Sequence, residues 1–404
     1  MDWVIAGLLA VMAGFGSWSL AKRVPPAVTY GTHLDVYFSA DCGRVLANMR
    51  SRTESNHHRT NVHPLFSILM HPAYTALARM NGVKADTEPE SPAHIAVSNL
   101  LSGLGGGAAM ALLFFLLRSI GTPGLDAVVY AVLAASSAFA LFWFSVPETY
   151  AWGSISILFA LLIAAVGCRR RLHVIWYALA SLGTFAITTT NWSVGLLATW
   201  TRWRWRKALV VTMAVLCVAS GLSITQKLLF PSSWFFFNIA REKNYVMQEH
   251  GGGPVASMRS LLFHTIVAPE PTTIVHPRYP DAKIIRIQDR SPGGASLVGK
   301  AAAGLWGLLI AGGVWALVRH RGLLPFRITL GLSLAGQCAL HAVYGSETFL
   351  YSAHFGPMMI LCVAFLAQTR LRFASLSVAA LLAVLLLVNN IARHAEVMEL
   401  IRSL

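Results

Sequence analysis

The sequence predicts an all-α fold, a polytopic transmembrane helix bundle forming a single domain over residues 1–404. Three observations carry that expectation. Of the 404 residues, 55% are hydrophobic and only 12% are charged, whereas soluble domains carry about 25% charged residues. Apolar segments of roughly 20 residues, the length that crosses a bilayer, recur along the chain. The basic residues behind the net charge of +15 lie mostly in short clusters at the ends of those segments, where the positive-inside rule puts them and where nucleic acid is not the implied partner.

The apolar segments lie near 3–21, 97–118, 126–146, 149–167, 173–190, 208–229, 299–318, 325–344, 352–368 and 373–392, with a shorter piece at 192–201. Backbone in lipid must satisfy its own hydrogen bonds, so each is expected to be a helix. The first lacks a basic leader and a cleavage site and is expected to be retained as an anchor. Arg169–Arg171, the Arg202–Lys207 cluster, Arg319/Arg321 and Arg370/Arg372 have almost no acids nearby and are placed in the cytoplasm. Counting outward gives about eleven spans if 192–201 crosses. The N-terminus is then cytoplasmic, and 22–96, 145–149, 230–298 and 345–351 are external. Lys22 and Arg23 run against the rule.

Within the first external segment, 41–53 and 64–81 read as amphipathic helices lying in the interface. The second, 230–298, opens on the aromatic run Trp234–Phe237 and carries Gly251-Gly-Gly-Pro254. It is expected to hold interfacial helices and loops. The Gly103–Gly107 run lies inside a span and suits close helix packing. Four of the five cysteines fall in or at the end of apolar spans, so no disulfide framework is implied.

The chemistry concentrates in residues 35–66. Asp35 and Asp41 sit where the first span gives way to the first interfacial helix. A carboxylate at a water–lipid boundary can act as a general base, and partial desolvation is expected to raise its pKa. Asp41 also suits the N-cap of the helix that follows. His57, His58, Arg59 and His63 suit an anionic head group, because arginine grips phosphate through paired donors and histidine adds hydrogen bonds. Arg241 and Lys243 offer a second phosphate contact, or simple attraction to anionic lipid. Glu148, between two spans, and Glu347 are acids close to hydrocarbon and are functional candidates on that ground. Tyr351 and His354 follow Glu347 at four and seven residues, which predicts one polar stripe entering the membrane from outside. The histidines near two aspartates leave a divalent metal open, although no His-Glu-x-x-His or Cys/His spacing is present. There is no Walker motif, dinucleotide fingerprint or nucleophile elbow.

Asp41 in Ser39-Ala-Asp-Cys-Gly-Arg44, His63-Pro-Leu-Phe66 and Glu148 together resemble the GT-C class of membrane glycosyltransferases, such as protein O-mannosyltransferases and lipid A aminoarabinose transferases. The resemblance covers the topology of most of the chain. The paired Asp-Glu or Asp-Asp of that class is not found here, since Asp35 and Asp41 are separated. What it implies is a multi-pass enzyme of the bacterial inner (plasma) membrane. Such an enzyme transfers a sugar from a polyprenyl phosphate to a glycan, lipid or protein acceptor on the periplasmic or exterior face. Asp41 would be its base, with Glu148 and Asp35 beside it. Arg59, His58, His63, Arg241, Lys243, Tyr351 and His354 would hold the donor, and Glu347 the acceptor. Two other classes compete. A transporter would place ionisable groups at mid-span, where His341 and Gln337 are the main polar residues. A polymerase or ligase of O-antigen type would carry arginines in a late external loop, as Arg259, Arg278, Arg286 and Arg290 do.

Overall fold

A computed structural model describes residues 1–30, 35–53, 55–83, 91–238, 240–247, 251–276 and 279–404. Arg278 and the Arg241 side chain lie outside what is described. In chain order the helices are α1 (Asp2–Ala21), α2 (Pro26–Tyr30), α3 (Cys42–Arg50), α4 (Phe66–Met80), α5 (Pro92–Ile120), α6 (Gly124–Ser136), α7 (Ala138–Trp143), α8 (Thr149–Arg169), α9 (Val174–Ile187), α10 (Trp192–Arg202), α11 (Trp205–Leu229) and α12 (Gly253–Arg259). A hairpin of β1 (Thr272–His276) and β2 (Tyr279–Arg286) follows. Then come α13 (Leu297–Arg319), α14 (Leu324–His341), α15 (Ser352–Ala364) and α16 (Arg372–Ser403).

Seven helical segments among the described residues are long and apolar enough to cross a membrane: α1, α5, α8, α11, α13, residues 348–368 including α15, and α16. The other four expected spans are helical but fall outside that set. α9 has 14 residues, about 21 Å at 1.5 Å per residue, against a hydrocarbon core of about 30 Å. α10 has 11 residues. The segment expected as one helix over 126–146 is broken at Ser137 into α6 and α7.

That break has a physical account. The N–H groups of Ala138 and Phe139 donate to the carbonyls of Ile266 and Thr265 at 3.0 and 2.9 Å. Asn390 of α16 donates its side-chain amide to the carbonyls of Ser136 and Ile266, 2.9 Å each. Backbone freed by the break is therefore satisfied by protein. Residues 265–268, within the segment 230–298, are fully buried against the bundle, where interfacial helices and loops were expected.

The glycine run behaves as expected. α1 and α5 pack antiparallel so closely that a Cβ on Gly103 would lie 3.0 Å from the Gly14 carbonyl oxygen, and one on Gly107 2.7 Å from that of Ala10. α5 is sharply bounded: Ser91 caps its first turn, Pro92 opens it, and Gly121 at φ 101° ends it. The main core joins α5–α8 to α13, α15 and α16 around Phe114, Tyr130, Trp143, Trp306 and Phe355.

The helices expected over 41–53 and 64–81 form, as α3 and α4. They share a separate core of Val45, Leu46, Met49, Phe66, Met70 and Tyr74 with Val97 and Leu101 of α5. His57 ties this unit together: Nε2 donates to the Ser51 carbonyl at 2.9 Å and Nδ1 accepts from Ser67 Oγ at 2.7 Å. The β-hairpin was not expected. Thr272-Thr-Ile-Val275 and Ile284-Ile285 pair antiparallel, with Ile274 opposite Ile284 and a bulge between Val275 and His276. β-branched residues fit that pleated surface, and the run was too short to outweigh the surrounding turn residues.

Candidate functional site

Asp41 is positioned by a strained turn. Phe38 and Ser39 have φ of 52° and 62°, a left-handed conformation that costs non-glycine residues on the order of 1–3 kcal/mol each. Burial holds it in place: Tyr37 and Phe38 pack edge-on against Trp143, Phe142 and Phe349, and Tyr37 Oη donates to the Phe142 carbonyl at 3.0 Å. Ile285 N–H of the hairpin donates to the Val36 carbonyl at 2.9 Å. The Asp35 carbonyl closes the turn onto Ser39 N–H at 3.0 Å.

Asp41 occupies the N-cap position of α3, but its side chain makes no capping bond. Instead Arg44, one turn on, donates to Asp41 Oδ2 from Nε at 3.1 Å and Nη2 at 2.7 Å. The Asp41 N–H donates to Glu148 Oε1 at 3.2 Å. Glu148 is buried and caps α8, where its Oε2 accepts from the Thr149 N–H and, at 2.9 Å, from the Thr149 hydroxyl. The structure thus brings Asp41 and Glu148 together from residues 107 apart in sequence. The Asp41 side chain remains 37% exposed, so its carboxylate is the reachable one of the pair.

Their electrostatics reverse one expectation. Burial acts to raise Asp41, but Arg44 and then Arg59 outweigh it and hold the carboxyl below its ordinary value. The raised group is Glu148. Burial pushes it up to about 7 against the pull of Arg44, and the Asp41 charge adds to the rise.

Arg59 stands on a 3-10 turn, His58–Asn61. It does not point alone into water. Nη1 donates to Glu242 Oε1 at 2.9 Å, and its guanidinium lies 5.5 Å from the centre of the Tyr245 ring. Burial opposes the charge, but Glu242, Tyr245 and Asp41 outweigh it and raise the Arg59 pKa. A cavity of about 160 Å³ opens here, with His58, Asn61, Trp234, Asn244 and Tyr245 around the Arg59–Glu242 pair. Lys243 is exposed on the neighbouring turn and does not line that cavity.

His63 takes a role different from the expected phosphate contact. Its Nδ1 lies 2.9 Å from the Ile187 carbonyl, which can only accept, so Nδ1 carries the proton. Burial, with Arg59 and Arg44 adding to it, lowers its pKa to about 3. A neutral ring then offers an acceptor at Nε2 rather than a phosphate donor. It fastens the stretch before α4 to the end of α9.

The expected stripe of Glu347, Tyr351 and His354 divides. Tyr351 stacks on His341 with ring centres 4.0 Å apart and meets Tyr150 edge-on at 5.6 Å. His354 lies 5.2 Å from Tyr150 and its Nε2 is 3.4 Å from Asn191 Nδ2. Gly153 makes room for that contact, since a Cβ there would collide with the His354 ring. Tyr351 and His354 therefore line the bundle just beneath Glu148. Glu347 turns elsewhere: it accepts from the N–H groups of Ile287 and Gln288, 3.3 Å each, and lies 3.7 Å from Arg286. A short 3-10 turn, Thr348–Tyr351, replaces the regular helix that would have aligned the three.

Sequence reasoning missed Arg44 as a partner of Asp41, although an acid and an arginine three apart on a helix are a readable pair. It also missed Glu242, Asn61, Tyr344 and Asn191, which meet the site only through folding. Among the described residues no three His, Cys, Asp or Glu side chains converge as metal ligands. His57 has both ring nitrogens engaged, by the Ser51 carbonyl and the Ser67 hydroxyl, whereas His63 keeps Nε2 as an open acceptor.

No family model, curated protein or solved structure matches the chain.

Proposed function

We propose that this protein is a membrane glycosyltransferase of the GT-C kind, moving a sugar from a polyprenyl-phosphate donor to an acceptor on the extracytoplasmic face. The observation that carries this reading is the Asp41–Glu148–Arg44 constellation: a reachable carboxylate fixed at the mouth of the helical bundle, with a neutral-range buried acid behind it and Arg59 within electrostatic range. In the eleven-span topology, with the basic clusters cytoplasmic, this mouth faces the periplasm or exterior of a bacterial inner membrane.

Asp41 takes the proton from an acceptor hydroxyl or amine as that atom attacks the anomeric carbon. The bond from that carbon to the phosphate oxygen breaks, and its electron pair leaves with the polyprenyl phosphate. Asp41, ionised throughout the neutral range, always arrives as the base. The departing phosphate needs charge stabilisation more than a proton, and Arg59 supplies it. One displacement inverts the anomeric configuration and requires no carboxylate nucleophile. Glu148 is a positioning residue, holding the Asp41 backbone through Oε1. Tyr351 and His354 wall the site on the bundle side.

Two features weigh against the competing classes. Two of the arginines of residues 230–298 are engaged internally, Arg286 with Asp289 and Glu347, and Arg259 with the Gln288 carbonyl. The ion pair of buried Asp126 with the partly exposed Arg372, 2.9 Å, joins the starts of α6 and α16, not a mid-span path. The test is incubation of the purified protein with a panel of polyprenyl-phosphate sugars, reading release of the lipid phosphate. No release from any donor, with topology reporters placing residues 41–81 in the cytoplasm, would end this reading.

A further inference from the structure

Glu242 is held by three donors from two stretches of chain, Arg59 and Asn61 on one turn and Tyr344 far along the sequence. Arg59 Nη1 and Asn61 Nδ2 each donate to Oε1 at 2.9 Å, and Tyr344 Oη donates to Oε2 at 2.6 Å. Guanidinium, amide and phenol converging on one anion form a donor set that suits phosphate oxygens as well as a carboxylate. The Arg59–Glu242 pair is 18% and 17% exposed, so it is reachable from the 160 Å³ cavity beside it. That volume is below the roughly 300–1,000 Å³ of pockets that take drug-sized ligands. It admits a small polar group and not a second chain.

The stretch that carries Glu242 is fastened at its two ends. Trp234 N–H donates to Thr60 Oγ1 at 2.6 Å, and Asn61 Nδ2 reaches the Asn238 carbonyl at 3.1 Å. At the far end Met247 N–H donates to the Val343 carbonyl at 2.7 Å and Gly345 N–H to that of Tyr245 at 2.8 Å. Between these ties, the Glu242 carboxylate, with the Tyr245 ring beside it, draws the turn Ala240–Tyr245 onto Arg59.

We infer that Arg59, Asn61 and Tyr344 form a phosphate site in which Glu242 is the built-in competitor, so that phosphate binding displaces the Glu242 carboxylate and frees the 240–247 turn. The inference rests on the reading of the substrate as a phosphate ester. It adds a residue whose removal should strengthen binding, which no direct ligand would do. A like charge pressed against an incoming phosphate opposes it, and the neutral isostere Gln keeps the shape without the charge.

The experiment uses the purified full chain in detergent with radiolabelled farnesyl phosphate as probe. Glu242→Gln is expected to bind at least tenfold more tightly than the wild type, and Arg59→Ala at least tenfold more weakly. In the wild type, saturating farnesyl phosphate is expected to speed amide hydrogen exchange in 240–247, a readout independent of whether either variant folds. Unchanged or weaker binding by Glu242→Gln, or exchange that stays the same or slows, overturns the inference. If Arg59→Ala still weakens binding in that case, the phosphate reading of the site survives without Glu242. If Arg59→Ala also leaves binding unchanged, both fall. Inorganic phosphate competing at equal concentration assigns the site to free phosphate, and its failure to compete assigns it to the lipid-linked ester. Either result supports the competitor role when Glu242→Gln binds more tightly.

Discussion

Glu148 and Glu347 are a natural experiment inside one molecule. Each is a buried acid just ahead of an apolar helical segment, each accepts backbone N–H donors, and burial pushes each up to about 7. Their neighbours differ. Glu148 holds the backbone of Asp41, whose carboxylate is 37% exposed and gripped by an arginine. Glu347 faces Arg286, whose side chain is only 8% exposed, and its Oε1 finds no partner among the described residues. A shifted pKa is thus common to both, and a reachable partner belongs to one. On the proposed function, the difference teaches that perturbation alone does not mark a reactive centre and that the accessible group beside the perturbed one is the better guide.

The comparison breaks most directly at Asp41. Asp41→Asn should lower turnover of the lipid-linked donor by about 100- to 10,000-fold, while Glu347→Gln stays within a few-fold of the wild type. Equal losses from both would erase the distinction. Stability should show the reverse order. Arg286→Ala strips a buried acid of its cation and should cost about 3–5 kcal/mol at pH 8. Arg44→Ala, at a partly exposed pair, should cost about 0–1 kcal/mol. Unfolding of the two variants in the same detergent measures this.

Arg59→Ala should weaken donor affinity by roughly 1.5–3 kcal/mol, the range for a hydrogen bond to a charged group. Lys243→Ala, exposed and outside the cavity, should leave it unchanged, as equilibrium binding of the donor would report.

The pH dependence sharpens the comparison last. Glu148 and Glu347 hold their protons more tightly in the fold than at the ordinary carboxyl value of 4.5. Their stability contribution is complete below about pH 4.5 and is lost as pH rises through about 7. His63 has the opposite sign. Its value of about 3 lies below the ordinary 6.5, so its contribution is present above 6.5 and lost as pH falls toward 3. Thermal midpoints across pH should flatten on the alkaline side in Glu148→Gln and in Glu347→Gln alike. Only Glu148→Gln should also alter the pH profile of turnover.

How far the sequence could see depends on the range of the forces involved. The helices were legible because apolar length is a local property, as were α3 and α4, whose periodicity lies within 15 residues or fewer. Asp41 and Glu148 were legible as acids beside hydrocarbon. Their contact across 107 residues was not, and neither was the sign of the Asp41 shift, which Arg44 decides. Glu347 misled because its spacing to Tyr351 and His354 assumed an unbroken helix, and the tight turn at 348–351 rotated it toward Arg286. The break at Ser137 was invisible because its partners, Ile266 and Asn390, lie far along the chain.

That break bears on how the protein is made. Residues 124–143 leave the ribosome long before Thr265, Ile266 and Asn390 exist, so the freed N–H groups of Ala138 and Phe139 and the Ser136 carbonyl have no partners at that moment. Away from water such groups are costly, so the nascent stretch should form one continuous helix first. Thr265 and Ile266 can take up the two N–H groups first, but the Ser136 carbonyl waits for α16 to deliver Asn390. The break at Ser137 is then completed only once α16 has been synthesised and has locked it from the far end of the chain.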